Sequence, residues 1–308
     1  MIRTDAPPPG STGSGTHLRL VWPHWQGAGT SSVKEFASEF PLDTARRGYA
    51  VGTAVLEAVL PHHDGPTETV PVPMTDDGLE ERDGVEAKAV VVDQLGQALA
   101  TIRRHDPARI VTLGGECSVS VAPFSALAHR YGDDLAVIWI DSHPDISTPE
   151  SQYPGHHSMA VAALAGHGDP DVLNPLPGTV APERIALVGL HSWFDDDIGN
   201  VADWGIQSFA PDQLRTSTEP LLDWLAATGC SRVAIHFDVD TVDSNEVLLG
   251  LGPEPDGLTG SEVDRIVSDI TAAADVVALT IAEFIPRQVM HLQRILHRFP
   301  LLSPATAH

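Results

Sequence analysis

Short apolar, β-branched runs alternate along this chain with longer segments whose apolar positions recur at helical spacing. The runs cover 17–22, 67–72, 109–114, 135–141, 184–189, 205–209, 232–238 and 276–281. Between them the period lengthens, and helices are predicted over 42–60, 86–105, 119–129, 158–165, 211–228, 260–273 and 288–297. Leu135-Ala136-Val137-Ile138-Trp139-Ile140 is apolar at every position, as a strand covered on both faces requires. Eight strands separated by helices predict a three-layer α/β/α fold with a mostly parallel eight-stranded sheet. Residues 1–16 are mostly Pro, Gly, Ser and Thr and read as a flexible leader, leaving 17–308 as a single domain.

In such sheets ligands gather at the carboxyl ends of strands. Two of the predicted strands run into acidic clusters there. One is Asp141-Ser142-His143-Pro144-Asp145 and the other Asp238-Val239-Asp240. Strand residues two apart share a face, so Asp238 and Asp240 point together, as do Asp141, His143 and Asp145 if the chain stays extended. Burying so many carboxylates near one another is opposed by desolvation and mutual repulsion, and divalent cations remove both obstacles. Acidic helix caps explain any one of these residues but do not require this spacing. The pattern therefore predicts a metal site, with two ions.

The formal charge of −24 and the presence of only two lysines, Lys34 and Lys88, argue against nucleic acid or anionic membranes as partners. No apolar stretch approaches the roughly 18 residues of a membrane span, and a cytoplasmic location is expected. Of the two cysteines, Cys230 precedes a strand and reads as an inert buried thiol. Cys117 follows Arg109-Ile110-Val111-Thr112-Leu113 in Gly114-Gly115-Glu116-Cys117-Ser118, at another strand end.

Taken in order, Gly114 to Ser118, Asp141 to Asp145, and His236-Phe237-Asp238-Val239-Asp240-Thr241-Val242-Asp243-Ser244 resemble the signatures of the arginase, agmatinase or ureohydrolase family. Those signatures read Gly-Gly-Asp-His-Ser, Asp-Ala-His-x-Asp and Ser-x-Asp-x-Asp-x-x-Asp-Pro. Gly155-His156-His157-Ser158-Met159 resembles the family's His-Gly element, and Ile281-Ala282-Glu283-Phe284-Ile285-Pro286 its late Glu-x-Asn-Pro element. The resemblance implies two Mn²⁺ held by Cys117, Asp141, His143, Asp145, Asp238 and Asp240. Cys117 stands where most members have His, and a thiolate shifts preference toward Zn²⁺ or Fe²⁺. His236 replaces a small hydroxyl residue and faces the same way as Asp238. It reads as a compensating ligand, as a donor behind the ligands, or as an ordinary core histidine. Glu116 and Asp243 are also candidates for support behind the ligands.

The same resemblance implies a hydrolase of C–N bonds in linear amidines. A hydroxide shared by two ions about 4 Å apart would attack a guanidino carbon and release urea or a urea analogue. Asp145 would accept a hydrogen bond from it, Glu283 would grip the guanidinium, and His157 would pass a proton to the leaving nitrogen. The family usually forms trimers or hexamers, so a homo-oligomer is expected. Substrate contacts diverge: the loop 147–153 is one residue shorter than in arginases, and the acidic amine-binding segment becomes His191-Ser192-Trp193-Phe194-Asp195-Asp196-Asp197. That Asp run reads either as a contact for a cationic tail or as a solvated helix start. An amidine, formimino or N-hydroxyguanidine hydrolase stays open as an alternative. So does a non-catalytic metal-binding regulator.

Overall fold

The computed structural model describes residues 16–302 apart from residue 39. The leader expected over 1–16 thus lies, except for Thr16, outside the described residues. Eight parallel strands form one sheet in the order β2-β1-β3-β8-β7-β4-β5-β6. They are β1 His17–Trp22, β2 Thr67–Thr69, β3 Arg109–Gly114, β4 Leu135–Ile140, β5 Ile185–Val188, β6 Gln207–Phe209, β7 Arg232–Asp238 and β8 Asp275–Ala282. Each expected strand is present, and β1, β3 and β7 have the expected bounds. β4 is buried throughout because helices cover both faces.

One apolar layer joins Trp22, Trp139, Leu95, Leu99, Phe124 and Leu127 under the helices Lys88–His105 and Val121–Tyr131. The opposite layer packs Leu56, Ile138, Phe237, Val263, Ile266 and Ile270 under Gly48–Val59 and Gly260–Ala273. Thr259 begins the latter helix with a capping box: its hydroxyl accepts from Glu262 N while the Glu262 carboxylate accepts from Thr259 N. Among the described residues no helix is long and apolar enough to cross a membrane.

Two predicted helices are broken. The 42–60 segment forms Leu42–Arg46 and Gly48–Val59, with the weak helix former Gly48 beside the break. The 211–228 segment forms Pro211–Leu214 and Glu219–Thr228, because Pro220 lacks an N–H and suits only a first turn. Three helices without an expected counterpart, Thr30–Phe36, Pro170–Leu173 and Gly199–Trp204, are too short to establish a period.

At the start of β1, burial first, then His63, Arg109 and Arg19, lower the His17 imidazole from 6.5 to about 4. The unfolded chain therefore takes up a proton near pH 6.5 that the folded chain refuses until about 4. The resulting stability is complete above the unfolded value and is lost as pH falls through that window. Because the ring is partly solvated, the expected contribution is about 1–2 kcal/mol after screening. Urea midpoints at pH 7.5 and 4.5 should fall less for His17→Gln than for the wild type; an equal fall would exclude His17 as the source.

Candidate metal centre and active site

The strand order sets β3, β8, β7 and β4 side by side, so their carboxyl ends deliver Cys117, Glu283, Asp238 and Asp141 to one place. Long crossovers carry the chain from β3 past β8 and β7 to β4 and from β7 back to β8, and in such sheets ligands bind beyond the carboxyl ends where the strand order reverses. The Cys117 thiol lies 3.0 Å from Asp238 Oδ2 and 3.6 Å from Glu283 Oε1. Past β4, Asp141 Oδ2 accepts from Trp139 Nε1 at 3.0 Å and Oδ1 from His143 N at 2.7 Å. Ser142 donates to Asp240 Oδ1 at 2.6 Å, and His143 Nδ1 lies 3.2 Å from Asp240 Oδ2.

Two residues of the site hold unusual backbone. Asp145 and Glu283 have φ of 49° and 63°, the left-handed region that side chains with a Cβ seldom adopt. Asp145 is fixed there by its carbonyl, which accepts from Val161 N and Ala162 N at the start of the helix Ala160–Leu164. Glu283 is strapped to the end of β3 by donating to Gly115 O at 2.6 Å. Such strain persists only where surrounding contacts over-determine it, and it clusters at functional sites.

Among the described residues, donor atoms within 4.8 Å of one another form three groups: Cys117, Asp141, His236 and Asp238; Asp141, His143 and Asp240; and Cys117, His157 and Glu283. The first two share Asp141. Asp145 joins none of them, although it lines the same cavity and its buried Oδ2 has no hydrogen-bond partner. Five of the six expected ligands thus fall into two adjoining groups, with His236 added to the deeper one.

Electrostatics explain why such a cluster suits divalent cations. Burial, then Asp240 and Asp141, raise Asp238 well above the usual carboxylate range, and burial, then Asp141, do the same to Asp145. Asp141 is pushed up to about 6 by burial and Asp240. Burial also raises Asp240, but His143 and Ser142 outweigh it and hold it at about 2. The Cys117 thiol is pushed up by burial and the surrounding carboxylates, and burial lowers His236 to about 3, leaving a neutral imidazole. No Lys or Arg is among the described residues lining this cavity. Oxygen, sulfur and neutral imidazole donors with unpartnered buried atoms form a set that metal ions satisfy and protein cations do not.

A family model described as "Arginase family" matches residues 43–292. The chain belongs to the arginase family. It is 30% identical over 190 residues to the arginase of Eremothecium gossypii, an alignment covering 59% of this chain and 47% of that one. It thus spans about half the length of that relative. The arginase of Saccharomyces cerevisiae is 28% identical over 232 residues, covering 68% of each chain. In fold it is similar to the arginase of Bacillus caldovelox, with a TM-score of 0.72 at 19% identity and coverage of 95% of this chain and 100% of the other.

Relative to the family signatures, His157 sits against the deep group. Its Nδ1 is 3.2 Å from Glu283 Oε1 and its Nε2 is 2.7 Å from Tyr153 Oη. Burial opposes charge on this ring, but Tyr153 and Glu283 outweigh it and raise His157 well above the usual value. Tyr153 Oη also accepts from Gly29 N at 2.9 Å. The Tyr153 ring passes so close to Gly29 and Gly155 that a Cβ on either would lie 2.4 or 2.5 Å from it. In sequence Tyr153 belongs only to the substrate loop 147–153. Its position four residues before His157, next to Pro154-Gly155, was the available signal.

Tyr49 has no counterpart among the residues expected from sequence. It lines the cavity from the helix Gly48–Val59, and burial, then Glu283, raise its phenol well above the usual range. Glu116 and Asp243 hold structure together instead of touching the ligand carboxylates. Glu116 is buried, pairs with His24 Nδ1 at 2.5 Å and accepts from Ser118 N and Oγ. Asp243 Oδ1 accepts from Asn245 N and Asp256 N, closing a loop. The Asp run divides: Asp195 and Asp196 are exposed, whereas Asp197 is buried in the cavity wall, accepts from Ser147 Oγ and leaves Oδ1 without a partner.

Proposed function

We propose that residues 17–308 form one catalytic domain, a metal-dependent hydrolase of C–N bonds in a guanidino compound. The reading rests above all on the Glu283 and His157 pair beside the two donor groups. Cys117, Asp141, His143, Asp145, Asp238, Asp240 and His236 would hold two divalent cations, with Mn²⁺ as the expected family metal and Zn²⁺ or Fe²⁺ admitted by Cys117. When bound, the cations supply Lewis acidity and ionise water near neutral pH.

The side chains divide the remaining work. Glu283 accepts N–H bonds from the guanidinium and fixes the carbon in the crevice, a charge-assisted contact. Asp145, with an unpartnered oxygen, accepts a hydrogen bond from the attacking water and sets its direction. His157, held between Tyr153 and Glu283, gives a proton to the leaving nitrogen as the C–N bond breaks. The water oxygen ends on carbon as urea or a urea analogue, and the other product is an amine.

The cavity holds about 170 Å³, and its lining includes Phe36, Trp193, Phe194 and Leu251 together with Glu35 and Asp197. Apolar and acidic walls suit a tail that is apolar or cationic and disfavour a free carboxylate, which finds no Lys or Arg among the described lining residues. The substrate is therefore a guanidine with an amine or aromatic tail in preference to free arginine. Urea release would be measured from arginine, agmatine, guanidinobutyrate and an arylalkylguanidine after reconstitution with Mn²⁺, Zn²⁺ or Fe²⁺. Agmatine or the arylalkylguanidine should exceed guanidinobutyrate by at least about 10-fold in kcat/KM, roughly the 1.4 kcal/mol of one mismatched polar contact. Preference for guanidinobutyrate would overturn the substrate class, and no turnover with any of the three metals would overturn the hydrolase.

A further inference from the structure

Of the two donor groups, the deep one, Cys117, Asp141, His236 and Asp238, is buried throughout, whereas the side chains of His143 and Asp240 in the shallow one are 32% and 15% exposed. Their chemistry differs as much as their depth. The deep group offers one sulfur, one imidazole nitrogen and two carboxylates, a four-donor set suited to Zn²⁺. The shallow group offers carboxylates and an imidazole with room for water, a harder set suited to Mn²⁺.

His236 is the residue that decides the matter. Its Nδ1 is 2.8 Å from Ser120 Oγ and its ring lies flat on Trp139, with centroids 3.6 Å apart and planes 6° from parallel. Nε2 has no hydrogen-bond partner although the residue is wholly buried. Asp141 Oδ2, at 3.9 Å, is too far to serve. Leaving such an atom unsatisfied carries its full desolvation penalty. If Ser120 accepts Nδ1–H, the Nε2 lone pair points toward Cys117, Asp141 and Asp238, the arrangement by which a hydrogen bond on one nitrogen prepares the other for a metal. His157, in the third group, is different: both its nitrogens already have protein partners.

We propose that the centre is chemically asymmetric, with His236 Nε2 and the Cys117 thiolate as direct ligands of a Zn²⁺-selective deep site, and the shallow site left to Mn²⁺. The proposal builds on the metal-centre reading above. Binding as the thiolate displaces the Cys117 proton to solvent. The pair compensates for the absent family histidine by bringing an imidazole from β7, two strands along the sheet from β3, in place of one after β3.

Because the test measures metal coordination without turnover, it stands apart from failure of the substrate panel. Full-length protein would be loaded with one equivalent of Zn²⁺ in the presence of excess Mn²⁺ and examined by X-ray absorption at the zinc edge. The expected result is one sulfur scatterer at about 2.3 Å and one imidazole. His236→Ala should lose the imidazole signal and weaken Zn²⁺ binding by more than about 100-fold, beyond the effect of a residue that only orients a ligand. His157→Ala should keep both scatterers. Substitution with Co²⁺ gives a second readout: a thiolate charge-transfer band in the wild type that disappears in Cys117→Ser. Absence of sulfur scattering from the wild-type protein would overturn the proposal even if every variant failed to fold, and so would an imidazole signal that survives His236→Ala.

Discussion

Asp141→Asn is expected to lower kcat/KM by at least about 10³-fold, corresponding to about 4 kcal/mol of lost transition-state stabilisation. Asp141 has this weight because it is the one residue shared by the deep and the shallow donor groups. Each of its two oxygens also accepts one protein N–H, from Trp139 Nε1 and from His143 N, and keeps a further lone pair for metal. An amide offers only one acceptor oxygen, so it both weakens metal binding and disturbs the turn into His143. Bound metal measured after gel filtration should fall for both ions, and the stabilisation that added metal gives the wild type should shrink. Full metal content with full turnover would remove Asp141 from the centre.

His157→Ala is expected to reduce kcat by about 10² to 10⁴-fold, the range of a positioned proton donor, while KM changes by less than about threefold. The separation follows from geometry. Glu283 approaches Cys117 N at 3.3 Å as well as His157, so it remains anchored when the imidazole is removed. Added imidazole should restore part of the lost rate if proton delivery is the missing step. A rise in KM with kcat unchanged would instead make His157 a binding residue.

Both effects depend on contacts that differ in how far the chain announces them. The acidic strand ends after β4 and β7 were legible because burial on two faces makes those strands continuously apolar, and Asp at their ends stands out. Family signatures added Cys117, His157 and Glu283. Tyr49 was not legible as a site residue, since a tyrosine in a helix carries no signal until its neighbours are known, and Tyr153 was marked only by its place four residues before His157. Asp197 was indistinguishable from Asp195 and Asp196 in sequence. Only packing of the 191–198 loop against Ser147 separates the buried carboxylate from its solvated neighbours.

The sequence by itself determined the parallel α/β architecture and the places where hard ligands leave the strands. These are local facts, carried by hydrophobic period and residue type. The tertiary structure decided the strand order, setting β8 and β7 between β3 and β4. Nothing in a buried strand's apolar pattern specifies which parallel neighbour it joins, because every such strand presents two apolar faces. That order brings Cys117, Glu283, Asp238 and Asp141 together from four separate strand ends. It also stacks His236 on Trp139 across the β4 and β7 pair, turning an ambiguous core histidine into a buried nitrogen aimed at the centre.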